Sequence, residues 1–147
     1  MRWSMKAVAA MLCLLSFDVA ADVTAPSPRV AWLRDAKVAS EKARTTRRPL
    51  LVFFTAEWCM PCKEMQKKSF ADPAVEAMVS RFVPLLVDAT DGDDPVVEAL
   101  RKELKVATLP AVVVRDGKRD VLVITTYLDG PELAERLRAG LKMVGRD

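Results

Sequence analysis

Histidine is absent from the 147-residue chain, and cysteine occurs only three times, at Cys13, Cys59 and Cys62. Without histidine, neither an imidazole general base nor a histidine metal ligand is available. The net charge is only +3, and lysine and arginine form no long blocks, so the sequence does not indicate a nucleic-acid-binding surface. About half of the residues are apolar (51%), which is enough for the packed core of one domain.

The N-terminal segment has the pattern of an export signal. Two positive charges in "MRWSMK" precede an apolar run at residues 7–17, which is short for a membrane span. Small residues at Val19–Ala21 predict cleavage after Ala21. We therefore predict a signal peptide at 1–21, a proline-containing linker at 22–29 and one exported domain at 30–147; an uncleaved anchor is the alternative. Cleavage removes Cys13, so Cys59 and Cys62 meet an oxidising compartment as a pair.

The remaining sequence alternates strand and helix patterns, which predicts an α/β fold. Asp72–Pro73 and Asp94–Pro95 each pair an N-cap residue with a proline at the first helical position. Asp116–Gly117 is a hairpin signal, so the sheet is expected to be mixed. The predicted helices are 30–44, 62–70, 73–81, 95–105 and 131–143, and the predicted strands are 49–55, 82–88, 109–115 and 120–126.

The stretch "AEWCMPCKEM" places the two cysteines between a buried strand and a helix. Free backbone N–H groups at the start of a helix favour the thiolate form of Cys59, the species that attacks a disulfide. Cys62, one turn later, is expected to be more buried and to resolve the mixed disulfide formed on Cys59. The sequence therefore favours a redox-active dithiol.

Three other interpretations of the pair are open. A structural disulfide would close so small a loop that it stabilises the fold little. A zinc site would need four ligands, and only two cysteines are present outside the leader. Copper(I) would find soft ligands in Cys59, Cys62, Met60 and Met65, although Met65 at helical spacing is more typical of a core residue. A non-catalytic binding module or copper(I) carrier is thus the alternative to an enzyme.

The motif "WCMPCK" after a buried strand, with "TLP" at 108–110 and a "DG" hairpin, resembles the thioredoxin superfamily. The closer similarity, over residues 30–143, is to the C-terminal thioredoxin-like domain of the periplasmic DsbD interchange proteins. The resemblance implies a central mixed sheet flanked by helices, with a cis-Pro110 loop facing the cysteines. It implies a nucleophilic Cys59, a resolving Cys62 and no cofactor besides their disulfide.

The same resemblance implies a substrate-binding surface and a class of partners. Substrates would dock against Trp58, Met60, Pro61, Leu109 and Pro110, with strand-like hydrogen bonds to the Leu109 backbone. The partners would be exported proteins with disulfides, and a separate membrane protein would donate electrons. The expected oligomeric state is a monomer, and the expected location is periplasmic or otherwise extracytoplasmic.

The sequence departs from the family pattern where acids are expected. Phe53 stands where thioredoxin has a buried aspartate, and Gln66 stands where the DsbD-like domain has an acid. The strand at 82–88 also lacks the lysine that thioredoxin has there. Glu57 and Glu64 are near in sequence but are expected to be solvated. Our hypothesis is that exchange still occurs, with slower resolution by Cys62.

Two features bear on direction and partner choice. Oxidants of the DsbA kind carry a histidine between their cysteines, whereas Met60–Pro61 provides no such charge, so we expect a reductase or isomerase. The fold implied by the resemblance places Asp91, Asp93 and Asp94 near the cysteines. Asp94 is expected to cap a helix, and the other two are either solvated or part of a partner-binding surface.

Overall fold

The structure, a computed structural model, describes residues 30–146. The predicted signal peptide 1–21 and linker 22–29 lie outside the described residues.

Four strands form one mixed sheet in the order β2-β1-β3-β4. Strands β1 and β2 are parallel, with Thr55 opposite Asp88, and β3 runs antiparallel to β1, with Ala111 opposite Phe54. The hairpin partner β4 is antiparallel to β3. The carboxyl ends of β1, β2 and β4 and the start of β3 therefore share one end of the sheet, which we call the dithiol end. The strand bounds are β1 Leu50–Thr55, β2 Val83–Asp88, β3 Ala111–Asp116 and β4 Arg119–Ile124.

Helices cover both faces of the sheet and enclose two buried clusters. All six residues of β1 are buried, because this central strand is covered on both sides. The predicted fold class, a mixed sheet flanked by helices, is confirmed. The helices are α1 Ala36–Thr46, α2 Met60–Glu64, α3 Pro73–Val79, α4 Pro95–Glu103 and α5 Gly130–Met143.

Aspartate side chains cap four of these helices. Asp72 and Asp94, the two predicted caps, accept hydrogen bonds from the backbone N–H groups of Ala74 and Val96, each at 2.8 Å. Asp129 caps α5 in a reciprocal pair with Glu132. The predicted starts of α3 and α4 are confirmed, and α5 begins at Gly130, one residue before its predicted start. Each of these starts is fixed because the cap satisfies backbone donors that the helix leaves free.

The prediction that the first helix begins at residue 30 is wrong. The helix begins at Ala36, after the cap Asp35, and residues 30–35 form no helix. Leu33 forms a parallel bridge with Leu85: its N–H donates to the Pro84 carbonyl at 2.9 Å, and its carbonyl accepts from the Leu86 N–H at 2.8 Å. Pairing along the outer edge of β2 outweighs the helical spacing of the apolar residues in this segment.

The helix after the cysteines also differs in detail from the prediction. It begins at Met60 rather than at Cys62, and it continues after Glu64 as a π-helical segment, Met65–Ser69. The buried Ser69 hydroxyl donates to the Leu128 carbonyl at 2.6 Å, which ties this segment to the loop before α5.

Gly130, the first residue of α5, lies against α3. A Cβ atom built on Gly130 would lie 2.6 Å from the Cβ of Asp72, the residue that caps α3. We expect Gly130→Ala to lower the free energy of unfolding by about 2–3 kcal/mol, through overpacking and displacement of that cap. Urea denaturation monitored by circular dichroism measures the change.

Gly140→Ala, in the same helix, is the matched control. Its added Cβ would lie 3.4 Å from the nearest atom, a methyl carbon of Leu122, which is an ordinary contact. We expect between no change and about 1 kcal/mol of stabilisation, since alanine favours helix more than glycine does. Equal effects of the two substitutions would contradict the close approach of α5 and α3.

Candidate active site

Cys59 and Cys62 form a disulfide between the end of β1 and the start of α2. Cys59 is the N-cap residue of α2, and its Sγ accepts a hydrogen bond from the Cys62 backbone N–H at 3.3 Å. Cys62 is completely buried and Cys59 keeps 5% of its surface exposed, so the prediction that Cys62 is the more buried is confirmed. A partner thus has access to Cys59 alone.

The rim around Cys59 is apolar and exposed. Trp58 and Met60, on either side of Cys59, are each 65% exposed, and Pro61 is exposed as well. Exposed large apolar side chains in a cluster are typical of a contact surface. Met65, by contrast, is fully buried in the core, as its helical spacing predicts.

The Leu109–Pro110 peptide bond is cis, as the resemblance implies. Pairing between β1 and β3 begins at Ala111, so Leu109 lies just beyond the strand ladder, at the dithiol end. Leu109 is half-buried and Pro110 is buried. This turn and the cysteines therefore occupy the same end of the sheet, where β1 ends and β3 begins.

The loop after β2 contacts the turn that carries the cysteines. The Glu57 backbone N–H donates to the Thr90 hydroxyl at 2.8 Å, and the Trp58 indole N–H donates to the Thr90 carbonyl at 3.4 Å. The Thr90 N–H in turn donates to an Asp88 carboxylate oxygen at 3.0 Å. Thr90 thus holds the loop beside Trp58. The sequence did not point to Thr90 as a site residue, although an aspartate two residues before it is a turn signal.

The predicted position of the acidic loop is confirmed in part. Asp91 and Asp93 are exposed and lie in the loop that Thr90 attaches to the dithiol end. Asp94 caps α4 through the backbone N–H groups of Val96 and Val97. Whether Asp91 and Asp93 contact partners stays a prediction.

Phe53, which the resemblance places where thioredoxin has a buried acid, belongs to an aromatic cluster in the core. Phe53 is fully buried in the same cluster as both cysteines, and its ring centroid lies 4.8 Å from that of Phe70. Trp32 completes the group, at 5.8 Å from Phe53 and 5.0 Å from Phe70. Residues 30–35 therefore bring Trp32, which is partly buried, against the core cluster that contains both cysteines. Glu57 and Glu64 are exposed, as expected.

Residues 31–117, more than half of the chain, match the model of a family described as thioredoxin-like. The chain belongs to the thioredoxin-like family.

Several DsbD proteins are similar to this thioredoxin-like chain. The thiol:disulfide interchange protein DsbD of Ralstonia nicotianae is 33% identical over 115 residues, which cover 78% of this chain and 18% of that protein. The DsbD of Vibrio vulnificus strain CMCP6 is 37% identical over 70 residues, which cover 48% of this chain and 12% of that protein. The chain thus spans less than a fifth of the length of either relative.

A solved domain gives the structural comparison. The C-terminal domain of Neisseria meningitidis DsbD in its reduced form superposes with a TM-score of 0.61 at 26% identity. The match covers 71% of this chain and 92% of the domain. The similarity to the DsbD proteins therefore covers a small part of those longer proteins. The resemblance to their C-terminal thioredoxin-like domain, which the sequence analysis stated, is confirmed.

Two further observations concern the described part of this thioredoxin-like chain. Residues 30–146 contain no group of three or more histidine, cysteine or acidic residues placed to hold a metal ion. In the same range, no helix is both long enough and apolar enough to cross a bilayer. The copper(I) alternative loses one candidate ligand, because Met65 is a core residue.

Proposed function

We propose that this protein is an extracytoplasmic thiol–disulfide oxidoreductase that acts on protein partners through Cys59 and Cys62. The observation that carries the proposal is the disulfide itself. It joins a cysteine at a helix start to a fully buried cysteine one turn later. The exposed apolar rim of Trp58 and Met60 supplies a surface on which a partner can dock.

The exchange takes place in two steps with balanced atoms and electrons. In the reduced protein, the Cys59 thiolate attacks one sulfur of the partner's disulfide, forms a mixed disulfide and releases the partner's other sulfur as a thiolate. The Cys62 thiolate then attacks the Cys59 sulfur, which restores the Cys59–Cys62 disulfide and releases the second partner thiolate. Two electrons pass to the partner, and a dithiol of a membrane donor replaces them.

The hydrogen bond from the Cys62 N–H to the Cys59 sulfur supports the first step. A backbone donor and the start of α2 both favour negative charge on this sulfur. The cis turn at Leu109–Pro110 leaves the Leu109 backbone beyond the sheet ladder, where an extended partner segment can pair with it. Met60–Pro61 adds no positive charge between the cysteines, which favours reduction or isomerisation over oxidation.

Reduction of insulin by dithiothreitol tests the proposal. The protein is expected to accelerate precipitation of the insulin B chain well above the rate with dithiothreitol alone. Equilibration with glutathione then gives the reduction potential, and a value near that of the oxidant DsbA, about −120 mV, would reverse the proposed direction. Stoichiometric copper(I) binding without insulin activity would favour the carrier instead.

The missing acid leads to a prediction about pH. Phe53 stands where thioredoxin has a buried aspartate, and Gln66 stands where the DsbD-like domain has an acid. No carboxylate at these two positions can therefore take up the Cys62 proton. We expect the exchange rate to rise with pH as thiolate forms, without a separate step from a buried carboxylate. Stopped-flow measurements between pH 4 and 9 test this expectation. Glu57→Gln and Glu64→Gln should leave the profile unchanged. A carboxylate step in the wild-type profile would contradict this expectation, and its loss in one of these variants would identify that glutamate as the proton acceptor.

The acidic loop leads to a prediction about partner charge. Asp91 and Asp93 are exposed in the loop that Thr90 joins to Trp58. We expect the double variant Asp91→Lys, Asp93→Lys to reduce a basic disulfide peptide about tenfold more slowly at low salt, because the attraction that steers encounter is reversed. The difference should largely disappear in 0.5 M NaCl.

A second double variant controls for the change in net charge. Glu76→Lys, Glu135→Lys makes the same change on α3 and α5, away from the loop. Its rate with the basic peptide should stay within about twofold of the wild type. Unchanged rates in the loop variant would show that Asp91 and Asp93 are merely solvated.

A further inference from the structure

A cleft of about 480 Å³ opens at the end of the sheet opposite the dithiol end. Leu50, the first residue of β1, and Asp116, the last residue of β3, both line it. The length of β1, roughly 17 Å, separates this cleft from the cysteine turn. We call it the arginine cleft, because its lining includes Arg44, Arg47, Arg48, Arg115 and Arg146. Nothing in the proposed exchange reaction uses it.

Carboxylates neutralise only two of the five arginines from within the lining. Arg115 lies between Glu103 and Asp120, with nitrogen–oxygen distances of 2.5 and 2.6 Å. Burial opposes its charge, yet the hydrogen bonds that its guanidinium donates to the carboxylates of Asp120 and Glu103 raise the pKa of Arg115. Arg146 pairs with Asp116 at 3.6 Å. Glu103 and Asp116 are the two acidic residues of the lining, and these ion pairs already engage both of them.

The other three arginines add positive charge that the lining does not balance. Arg44 pairs with Glu41, outside the cleft, in an exposed ion pair of the kind that is held weakly. The Arg48 guanidinium donates to the backbone carbonyls of Ser80 and Phe82 and therefore keeps its full charge. Within residues 30–146, no hydrogen bond or ion pair engages the Arg47 guanidinium.

The carbonyl groups at the end of helix α1 do not occupy the Arg47 guanidinium. Arginines after a helix often hydrogen-bond to its last carbonyls. Here the Ala43 carbonyl accepts from the backbone N–H groups of Arg47 and Arg48, and the Arg44 carbonyl accepts from that of Arg47. Backbone groups thus satisfy these carbonyls, and the Arg47 side chain is available to a ligand.

The remaining wall of the cleft is mostly apolar. Its lining includes the small residues Ala36, Ser40 and Ala43 of α1, together with Leu100 of α4 and Leu104, the residue that follows α4. Because α1 presents short side chains, the two helices leave space between them. The volume lies within the range of small-molecule sites, roughly 300–1,000 Å³.

We infer that the arginine cleft binds a small amphiphile with one anionic head group, a carboxylate or a phosphate monoester, and an apolar chain. The head group would accept hydrogen bonds from Arg47 and Arg44, since guanidinium groups bind such oxygens in pairs. The apolar chain would lie between α1 and α4, where it displaces water from alanine and leucine side chains. This site is independent of the dithiol.

Titration of the full chain with dodecanoate below its micelle concentration tests the inference, by calorimetry and by NMR chemical shifts. We expect saturable 1:1 binding, with shift changes at Ala43 and Leu100. Dodecyl phosphate should bind at the same residues. Acetate and inorganic phosphate, which lack the chain, and dodecyltrimethylammonium, which has the opposite charge, should bind at least about tenfold more weakly.

Two cleft variants and one control give the structural test. Arg47→Glu should weaken dodecanoate binding at least about tenfold. Ser40→Trp, which places a large side chain in the cleft lining on α1, should abolish it. Arg136→Glu, an exposed position on α5, should leave it within twofold. Insulin reduction should be unchanged in all three variants. A negative result for dodecanoate binding can therefore be told apart from a negative result for the proposed thiol–disulfide exchange.

Three results would overturn the inference: equal affinity in the wild type and both cleft variants, equally tight binding of dodecyltrimethylammonium, or binding of dodecanoate only in micellar form.

Discussion

In the Cys59→Ser variant, insulin reduction by dithiothreitol is expected to proceed at the rate measured without the protein. Of the two cysteines in residues 30–146, Cys59 is the one with exposed surface, and its sulfur accepts a hydrogen bond from the Cys62 N–H at the start of α2. A serine hydroxyl there cannot form a disulfide with a partner, so the first step of exchange cannot begin. Partial activity in this variant would show that Cys62 also attacks partners, contrary to its complete burial.

Cys62→Ser is expected to fail at the second step instead. Cys59 still attacks, but no second thiolate releases the partner, so a mixed disulfide accumulates. Non-reducing electrophoresis and mass spectrometry should detect one partner per chain, attached at Cys59, and also identify the natural substrates. Absence of such adducts, with wild-type insulin activity, would contradict the assigned roles.

Loss of the Cys59–Cys62 disulfide is not expected to unfold either variant. A loop of this size removes only about 2 kcal/mol of unfolded-chain entropy on the usual model. Domains are typically stable by about 5–15 kcal/mol. Circular dichroism spectra of both variants, compared with that of the reduced wild type, check that the fold persists.

Strongly local signals made most of the fold predictable from the sequence. Asp72–Pro73 and Asp94–Pro95 fix helix starts because cap and first-turn geometry depend on adjacent residues. The four strands are continuous apolar runs or follow a turn signal. The start of α1 was not predictable in this way, because Leu33 is extended through pairing with Leu85, a residue distant in the sequence.

In the site, too, features set by neighbouring residues were predictable, and features set by contacts between distant residues were not. Neighbouring residues define the cysteine motif, and its burial pattern follows from a strand that leads into a helix. Thr90 and Trp32 reach the site only through the folded chain. Thr90 hydrogen-bonds to the turn before the cysteines, and Trp32 packs against Phe53 in the core cluster that contains them. The spacing of the apolar residues predicted a helix at 30–44 that includes Trp32, so the aromatic cluster could not be predicted from the sequence.

Phe53→Asp, which introduces the aspartate found in thioredoxin, is expected to destabilise this protein rather than improve it. Phe53 is fully buried, and its ring packs against Phe70 and Trp32. Removal of a buried phenylalanine ring typically costs about 3–5 kcal/mol, and a carboxyl group without a hydrogen-bond partner there costs about 1–3 kcal/mol more. The total approaches the whole stability of a typical domain, so the variant should be largely unfolded at 37 °C.

Phe53→Leu is the matched control, because it keeps the position apolar. We expect it to lower the free energy of unfolding by about 1.5 kcal/mol in urea and to leave insulin reduction close to the wild-type rate. A Phe53→Asp protein that is as stable as Phe53→Leu and resolves mixed disulfides faster would contradict us. That result would mean that the aromatic cluster can accommodate a carboxyl group, and that the lack of this carboxyl group limits the rate of resolution in the wild type. If Phe53→Leu is the more stable of the two variants, as we expect, aromatic packing takes the place of the buried acid in this chain. Resolution by Cys62 then proceeds without a carboxyl group at this position.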